Sequence, residues 1–346
     1  LAVSLSADGA LRWRAARTSG CDSLGATALT VTPDGQTIVA ERCRHEYRPD
    51  ESAALWLDAR GGRRNRRLLA LRDGLVAAGS VYQPEGRARA EVLGRPLPPP
   101  RRTEMGFVAT GAARRVGAFA HGVSALVTDP RTGDLLVGGY SVWDDTIAGR
   151  AVAEGQWVAR LARDGTVRWT QTFGAEGSDR VHALALGPSG EMYITAGFHP
   201  SDASQGACTF CALVARIEHD GRVAWQRRFD SPASVIRVTG VAVGPDATVW
   251  VAGTFQGSFS VADATLTVHA CPQAGRFPAD VFVWRLAPDG APVEAWALGA
   301  CDADVDAQVA VDAQNRGFVA GAARVPPRAE APSGEGLTAF VARLDP

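Results

Sequence analysis

The sequence predicts an all-β chain: a β-propeller of four-stranded antiparallel blades, with six blades favoured. Two observations carry this reading. Short runs of alternating apolar residues are separated by Asp-Gly and Pro-x-Gly turns, the pattern of antiparallel hairpins. The pattern then recurs every 50 to 70 residues or so, four strands at a time, a period that belongs to propeller arrays.

The stretch from Gln156 to Phe198 is the clean copy. WVARL and TVRWTQTF flank Asp164-Gly165, and VHALAL and EMYITAGF flank Gly187-Pro188-Ser189-Gly190. We name the four strand types a (VHALAL), b (EMYITAGF), c (WVARL) and d (TVRWTQTF). The chain opens on a c–d hairpin, Leu1 to Ala16. Further c–d hairpins start at Ala54 and Phe107, both degenerate, and at Trp157, Leu213 and Phe282. A last c copy starts at Phe340. The a–b hairpins start at Ala28, Leu68, Val123, Val181, Val238 and Ala307. Trp13, Trp169 and Trp225 share one d-strand position, and their recurrence with the blade period predicts packing between blades.

Asp179 to Gly197, Gly257 to Thr267 and Phe282 to Gly290 together resemble the bacterial propeller repeats known as SBBP repeats. The resemblance covers nearly the whole chain. It is strong from Trp157 onward and weak from Ala53 to Ala120. It implies a propeller and, commonly, an exported or surface location; it implies no single activity.

One domain, residues 1–346, is expected, closed by pairing of N- and C-terminal strands. The C-terminal a and b strands share a blade with the N-terminal c and d strands, and Phe340 to Leu344 competes with Leu1 to Leu5 for the c place. Seven blades result instead if a first a and b pair precedes Leu1.

The connections sort by length. The a–b and c–d turns are tight, and the length variation falls in the b–c connections, with moderate d–a loops. In an up-and-down blade the tight turns share one face and the b–c and d–a loops share the other. Long loops on a rigid scaffold carry binding residues, so any ligand is expected at the b–c/d–a face.

Six cysteines, even in number and placed in predicted loops, favour disulfides and an oxidising compartment. The expected bridges are Cys21–Cys43, Cys208–Cys211 and Cys271–Cys301. Cys208-Thr-Phe-Cys211 precedes a strand rather than starting a helix, and no second C-x-x-C exists, so a structural bridge is preferred to redox chemistry or zinc. No metal and no cofactor are expected. Asp302, Asp304 and Asp306 lack the glycine and distal glutamate of a calcium loop and read as backbone caps, with calcium as the alternative.

The candidate binding residues are Tyr140, Trp143, Asp144, Asp145, His199 and His269, all in b–c connections. Aromatics beside carboxylates suit a sugar site. Asp144 and Asp145, being adjacent on extended backbone, point apart and do not flank one bond. The histidines show no metal-ligand spacing. Arg60 to Arg67, RGGRRNRR, sits in a c–d turn without interleaved aromatics and reads as a solvated turn.

The chain has 346 residues, 46% hydrophobic and 21% charged, as in ordinary well-cored proteins. All 36 basic residues are arginine, which reflects codon composition rather than a site. A net charge of −1 gives no reason to expect nucleic acid, and no apolar run is long enough to span a bilayer. The favoured function is a binding or structural module, extracellular, periplasmic or at the cell surface, with a protein or polysaccharide partner and an assembly role open. The alternative is a glycan hydrolase or lyase with its site at the central channel mouth.

Overall fold

The computed structural model describes the backbone of every strand named below. It describes side chains at Val108 and from Gly122 onward, outside 142–145, 148–149, 174–179, 199–209, 230–234, 262, 270–278, 300–306, 322–339 and 345–346. The chain forms two compact units, Leu1–Gly74 and Leu75–Pro346.

In the first unit, β1 (Ala2–Leu5) and β2 (Leu11–Ala15) form a hairpin. Then β3 (Ser23–Val31), β4 (Thr37–Arg44), β5 (Glu51–Leu57) and β6 (Arg63–Arg64) form a four-stranded sheet in chain order.

In the second unit, β7 (Val76–Tyr82) is followed by a small hairpin, β8 (Glu91–Val92) and β9 (Arg95–Pro96), and by β10 (Glu104–Thr110) and β11 (Arg115–Phe119). Next come β12 (Val123–Thr128), β13 (Leu135–Ser141), the hairpin β14 (Asp145–Ile147) and β15 (Arg150–Val152), β16 (Gly155–Leu161) and β17 (Val167–Phe173). The sheet β12-β13-β16-β17 holds a, b, c and d in order, and β14 joins β11 at the edge of the preceding sheet. The clean copy follows as β18 (Val181–Leu186), β19 (Met192–Phe198), β20 (Cys211–Ile217) and β21 (Val223–Phe229), again in order. The last full sheet is β22 (Val235–Val243), β23 (Val249–Gln256), β26 (Asp280–Leu286) and β27 (Pro292–Leu298), with the hairpin β24 (Ser258–Val261) and β25 (Ala264–Thr267) inserted between its b and c strands. A three-stranded sheet, β28 (Val305–Val311), β29 (Gly317–Val325) and β30 (Gly336–Leu344), ends the chain. Phe340 to Leu344 thus occupies the c place beside β29, while β1 pairs with β2. The fold is all-β, built of antiparallel four-stranded sheets, as the turn pattern predicts.

The turns explain themselves chemically. In the Asp-Gly turns at 164, 220 and 289 the aspartate accepts a hydrogen bond from the amide two residues on: Thr166 N to Asp164 at 2.9 Å, Arg222 N to Asp220 at 3.0 Å and Ala291 N to Asp289 at 2.9 Å. The glycine takes the left-handed φ that the turn needs, +88°, +94° and +82° at Gly165, Gly221 and Gly290.

The apolar cores lie between successive sheets. One joins Leu136 and Val158 to Val181, Ile194 and Leu213; the next joins Tyr193 and Val214 to Val238, Val251 and Trp284; a third joins Trp250 and Val283 to Ala307 and Val319. Trp169 and Trp225 do pack across this spacing. Trp169 Nε1 donates to His219 O, and Trp225 Nε1 to Pro288 O, each at 2.9 Å on the next sheet's c–d turn. A Cβ on Gly221 or Gly290 would sit 2.8 Å from the respective indole, so each glycine is also the tryptophan's seat.

In the last four sheets, b and c strands match by size. Gly139 faces Trp157, Ala196 faces Leu213, Gly253 faces Phe282 and Gly321 faces Phe340. A Cβ on Gly139 would lie 2.0 Å from Gly122 O and 2.8 Å from the Trp157 ring. A c-strand arginine recurs just before three of the c–d turns, at Arg160, Arg216 and Arg285. Arg216 lies over the Tyr193 ring at 5.9 Å and Arg285 over the Trp250 ring at 6.0 Å. Arg160 faces Leu136 instead, and its charge goes to Asp129 and Asp134.

Candidate binding face

Every a strand enters from a d–a loop, and every b strand leaves into a b–c connection, so both meet at one end of each sheet. The opposite end carries the tight turns and is locked by polar contacts. Arg160 is buried there, 2.6 Å from Asp129 and 2.8 Å from Asp134, and donates to Gly190 O of the next sheet at 3.1 Å. Arg168 reaches Asp134 at 2.9 Å, and Arg131 donates to Pro188 O at 2.9 Å. Burial pushes the Asp129 and Asp134 carboxyls up, but hydrogen bonds from Arg131 to Asp129, from Arg168 to Asp134 and from Arg160 to both outweigh it and hold both below the usual carboxylate range. Burial raises the Tyr193 hydroxyl to about 12 against the pull of Arg216, so it stays a neutral donor. These groups are structural.

At the loop-rich end arginines again lie on aromatic rings, as Arg216 and Arg285 do toward the tight turns, but without a carboxylate among the described residues. Arg237 sits over Phe210 at 4.7 Å, Arg228 over Phe198 at 4.9 Å and Arg180 over Tyr140 at 6.0 Å. All three guanidinium-bearing residues are exposed, while Phe198 is buried and Tyr140 and Phe210 are half-buried. Among the described residues none of the three makes an ion pair, whereas Arg131, Arg160, Arg168, Arg216, Arg285 and Arg316 each hold a carboxylate toward the tight-turn end. Backbone geometry fixes the aromatic partners. Phe210 O accepts from Ile236 N at 3.0 Å, which ties a b–c connection to the next sheet's a strand beside Arg237. Tyr140 N donates to Gly122 O at 3.1 Å.

The same end carries a His–carboxylate pair. The Asp280 carboxylate accepts from the His269 backbone amide at 2.8 Å and lies 2.6 Å from its Nδ1. Asp280 is buried, and its other oxygen has no hydrogen-bond partner. The pair pins the return of the β24–β25 insertion to the start of β26. With Nδ1 facing the carboxylate, Nε2 is the ring atom left to meet solvent, and the side chain is 59% exposed.

Of the sequence-predicted binding residues, Tyr140 lies under Arg180 and His269 on Asp280, at the expected end. Asp145 opens β14, with its side chain outside the described residues. Trp143, Asp144 and His199 lie outside the described residues, as do Cys21, Cys208, Cys271, Cys301, Asp302 and Asp304; the side chains of Cys43 and Asp306 do too. Cys211 is buried and disulfide-bonded, its partner among the cysteines not described. The sequence reading missed Arg180, Phe198, Phe210, Arg228, Arg237 and Asp280. The one available signal was that Arg180 and Arg237 stand at the same place, just before Val181 and Val238, in consecutive repeats. Among the described residues no cluster of three or more His, Cys, Asp or Glu is set to hold a metal, and no helix is long and apolar enough to cross a membrane.

No protein-family model matches the chain, and no curated protein matches it. It is similar to a solved protein of unknown function from Dyadobacter fermentans, at 11% identity and a TM-score of 0.43, covering 91% of this chain and 78% of that one. It is similar to an ACO/RPE65 chimera at 12% identity and 0.38, covering 92% and 74%. A puromycin hydrolase matches at 16% identity and 0.35, covering 87% and 50%. At TM-scores below 0.5 these likenesses decide neither fold nor activity.

Proposed function

We propose that the chain is a six-bladed β-propeller of the SBBP-repeat kind that acts outside the cytoplasm, in the periplasm or at the cell surface, as a binding or assembly module through its loop-rich end. In this reading residues 1–346 are one domain closed by pairing of N- and C-terminal strands. Full sheets packed in succession around shared apolar layers support the propeller. The disulfide at Cys211 supports an oxidising compartment. The observation that carries the binding role is the contrast between the two ends. Toward the tight-turn end six arginines are held by carboxylates; at the loop-rich end three exposed arginines rest on aromatic rings with no carboxylate partner among the described residues. Aromatic and arginine side chains are the residues that dominate binding hot spots.

Glycan and protein arrays test it. A ligand is expected whose affinity falls about tenfold or more in Tyr140→Ala and Phe210→Ala, a change of ~1.4 kcal/mol, and is unmoved by Ser189→Trp on the tight-turn end. The reverse pattern would sink the proposal. A second reading, a glycan hydrolase or lyase, rests on the His269–Asp280 pair, whose carboxylate would orient the imidazole for proton transfer. Release of shortened glycan that His269→Gln abolishes would favour it.

A further inference from the structure

We infer that the loop-rich end binds an acidic polysaccharide, one bearing carboxylates at regular intervals. This inference rests on the binding reading above. Arg180 and Arg237 occupy equivalent positions. Each immediately precedes the a-strand valine that pairs with the b strand, Val181 with Ala196 and Val238 with Gly253. Arg180 directly precedes β18 and Arg237 is the third residue of β22, and these strands are neighbours in successive sheets. Face-to-face sheets stand about 10 Å apart. The two arginines therefore recur once per sheet at one end, on strands about one intersheet spacing apart. A ligand that satisfies both must repeat its own charge at a comparable interval, as a sugar acid polymer does.

The chemistry of each position agrees. A guanidinium is planar and pairs a carboxylate through two N–H donors, and it keeps that fork free when its face rests on an aromatic ring. Arg237 over Phe210 and Arg180 over Tyr140 are held this way, and neither makes an ion pair among the described residues. The half-buried Tyr140 and Phe210 rings leave apolar surface beside the charge, which suits the C–H faces of sugar rings. The Tyr140 ring carries a hydroxyl as well. Arg228 over Phe198 extends the same chemistry to the d strand of the β18–β21 sheet.

Titration of the full chain with polygalacturonate, dextran of matched length and poly-glutamate tests this. Saturable binding of polygalacturonate is expected, with no dextran binding, weaker poly-glutamate binding, and loss of affinity on going from ~0.05 to ~0.5 M salt as exposed charges are screened. Arg180→Gln with Arg237→Gln should weaken it tenfold or more, ~1.4 kcal/mol, while Arg222→Gln at the tight-turn end leaves it unchanged. Absence of polygalacturonate binding, equal binding of dextran, or indifference to the double substitution overturns the inference. Tighter poly-glutamate binding overturns it in favour of an acidic protein partner. If dextran or poly-glutamate binds and Tyr140→Ala abolishes it, the binding face survives and only the sugar acid falls.

Discussion

At the scale of single residues the backbone records where each turn is well served by its side chain. The a–b turns place one residue at left-handed φ: Gly133 at +74°, Gly190 at +91°, Ala247 at +64° and Asn315 at +61°. Glycine adopts this freely, and asparagine tolerates it. Alanine pays a steric penalty between its Cβ and the following carbonyl. Ala247→Gly is therefore expected to stabilise the protein by about 1 kcal/mol. A higher urea midpoint at unchanged slope is the readout, and an unchanged or lower midpoint would contradict the account. The same residue scale shows why the loop-rich end was only partly legible. Tyr140 and His269 stand out as an aromatic and a histidine in a long connection. Their partners do not: Arg180 is one arginine among 36 basic residues, and Asp280 lies 11 residues from His269 across an insertion. No periodicity links residues that meet only through the fold.

At the scale of strands and turns, one polar lock replaces what elsewhere is an arginine laid on a ring. Arg160 lacks the ring because Leu136 stands opposite it, where Tyr193 and Trp250 stand in the next two sheets. It is instead buried with Asp129 and Asp134. Removing the guanidinium leaves two buried carboxylates short of their donor, so Arg160→Met should cost about 3–5 kcal/mol. Both carboxyls have folded pKa values below their unfolded ones. Their stabilisation is complete above the unfolded value of about 3.9 and is lost as the pH falls through the folded values. Acid unfolding followed by tryptophan fluorescence should show the wild type holding to lower pH than Arg160→Met; coincident acid midpoints would refute the linkage. The hairpins were legible at this scale because Asp-Gly and Pro-x-Gly turns act locally. The small hairpins β14–β15 and β24–β25 were not, because strands of three or four residues are too short to display an alternation.

At the scale of the second unit, the β12–β17, β18–β21 and β22–β27 sheets are joined in succession by apolar layers and by a tryptophan on the next sheet's glycine turn. Interactions of this kind reach only nearest neighbours, as in other repeat proteins. Trp169→Phe and Trp225→Phe each delete one indole hydrogen bond, at about 0.5–1.5 kcal/mol. The two contacts share no residue: Trp169 meets the turn at Gly221, and Trp225 the turn at Gly290. The double variant should therefore lose the sum of the single losses to within about 0.5 kcal/mol. A larger departure in chemical denaturation would show coupling beyond neighbours. The tryptophan spacing was readable from the repeat alone, because a side chain that recurs with the repeat period must meet the same surroundings each time.

The pairing of small b-strand residues with large c-strand ones has a further consequence for how such an array can change. Trp157 has room because position 139 is glycine, and Leu213 meets alanine at 196. Exchange of a c strand alone between these two repeats would set tryptophan against an alanine methyl in one and leave a void beside glycine in the other. Exchange of b and c together carries the fit along. Recombination between repeats is thereby channelled to whole b–c segments, and each such crossover moves the intervening connection as one piece.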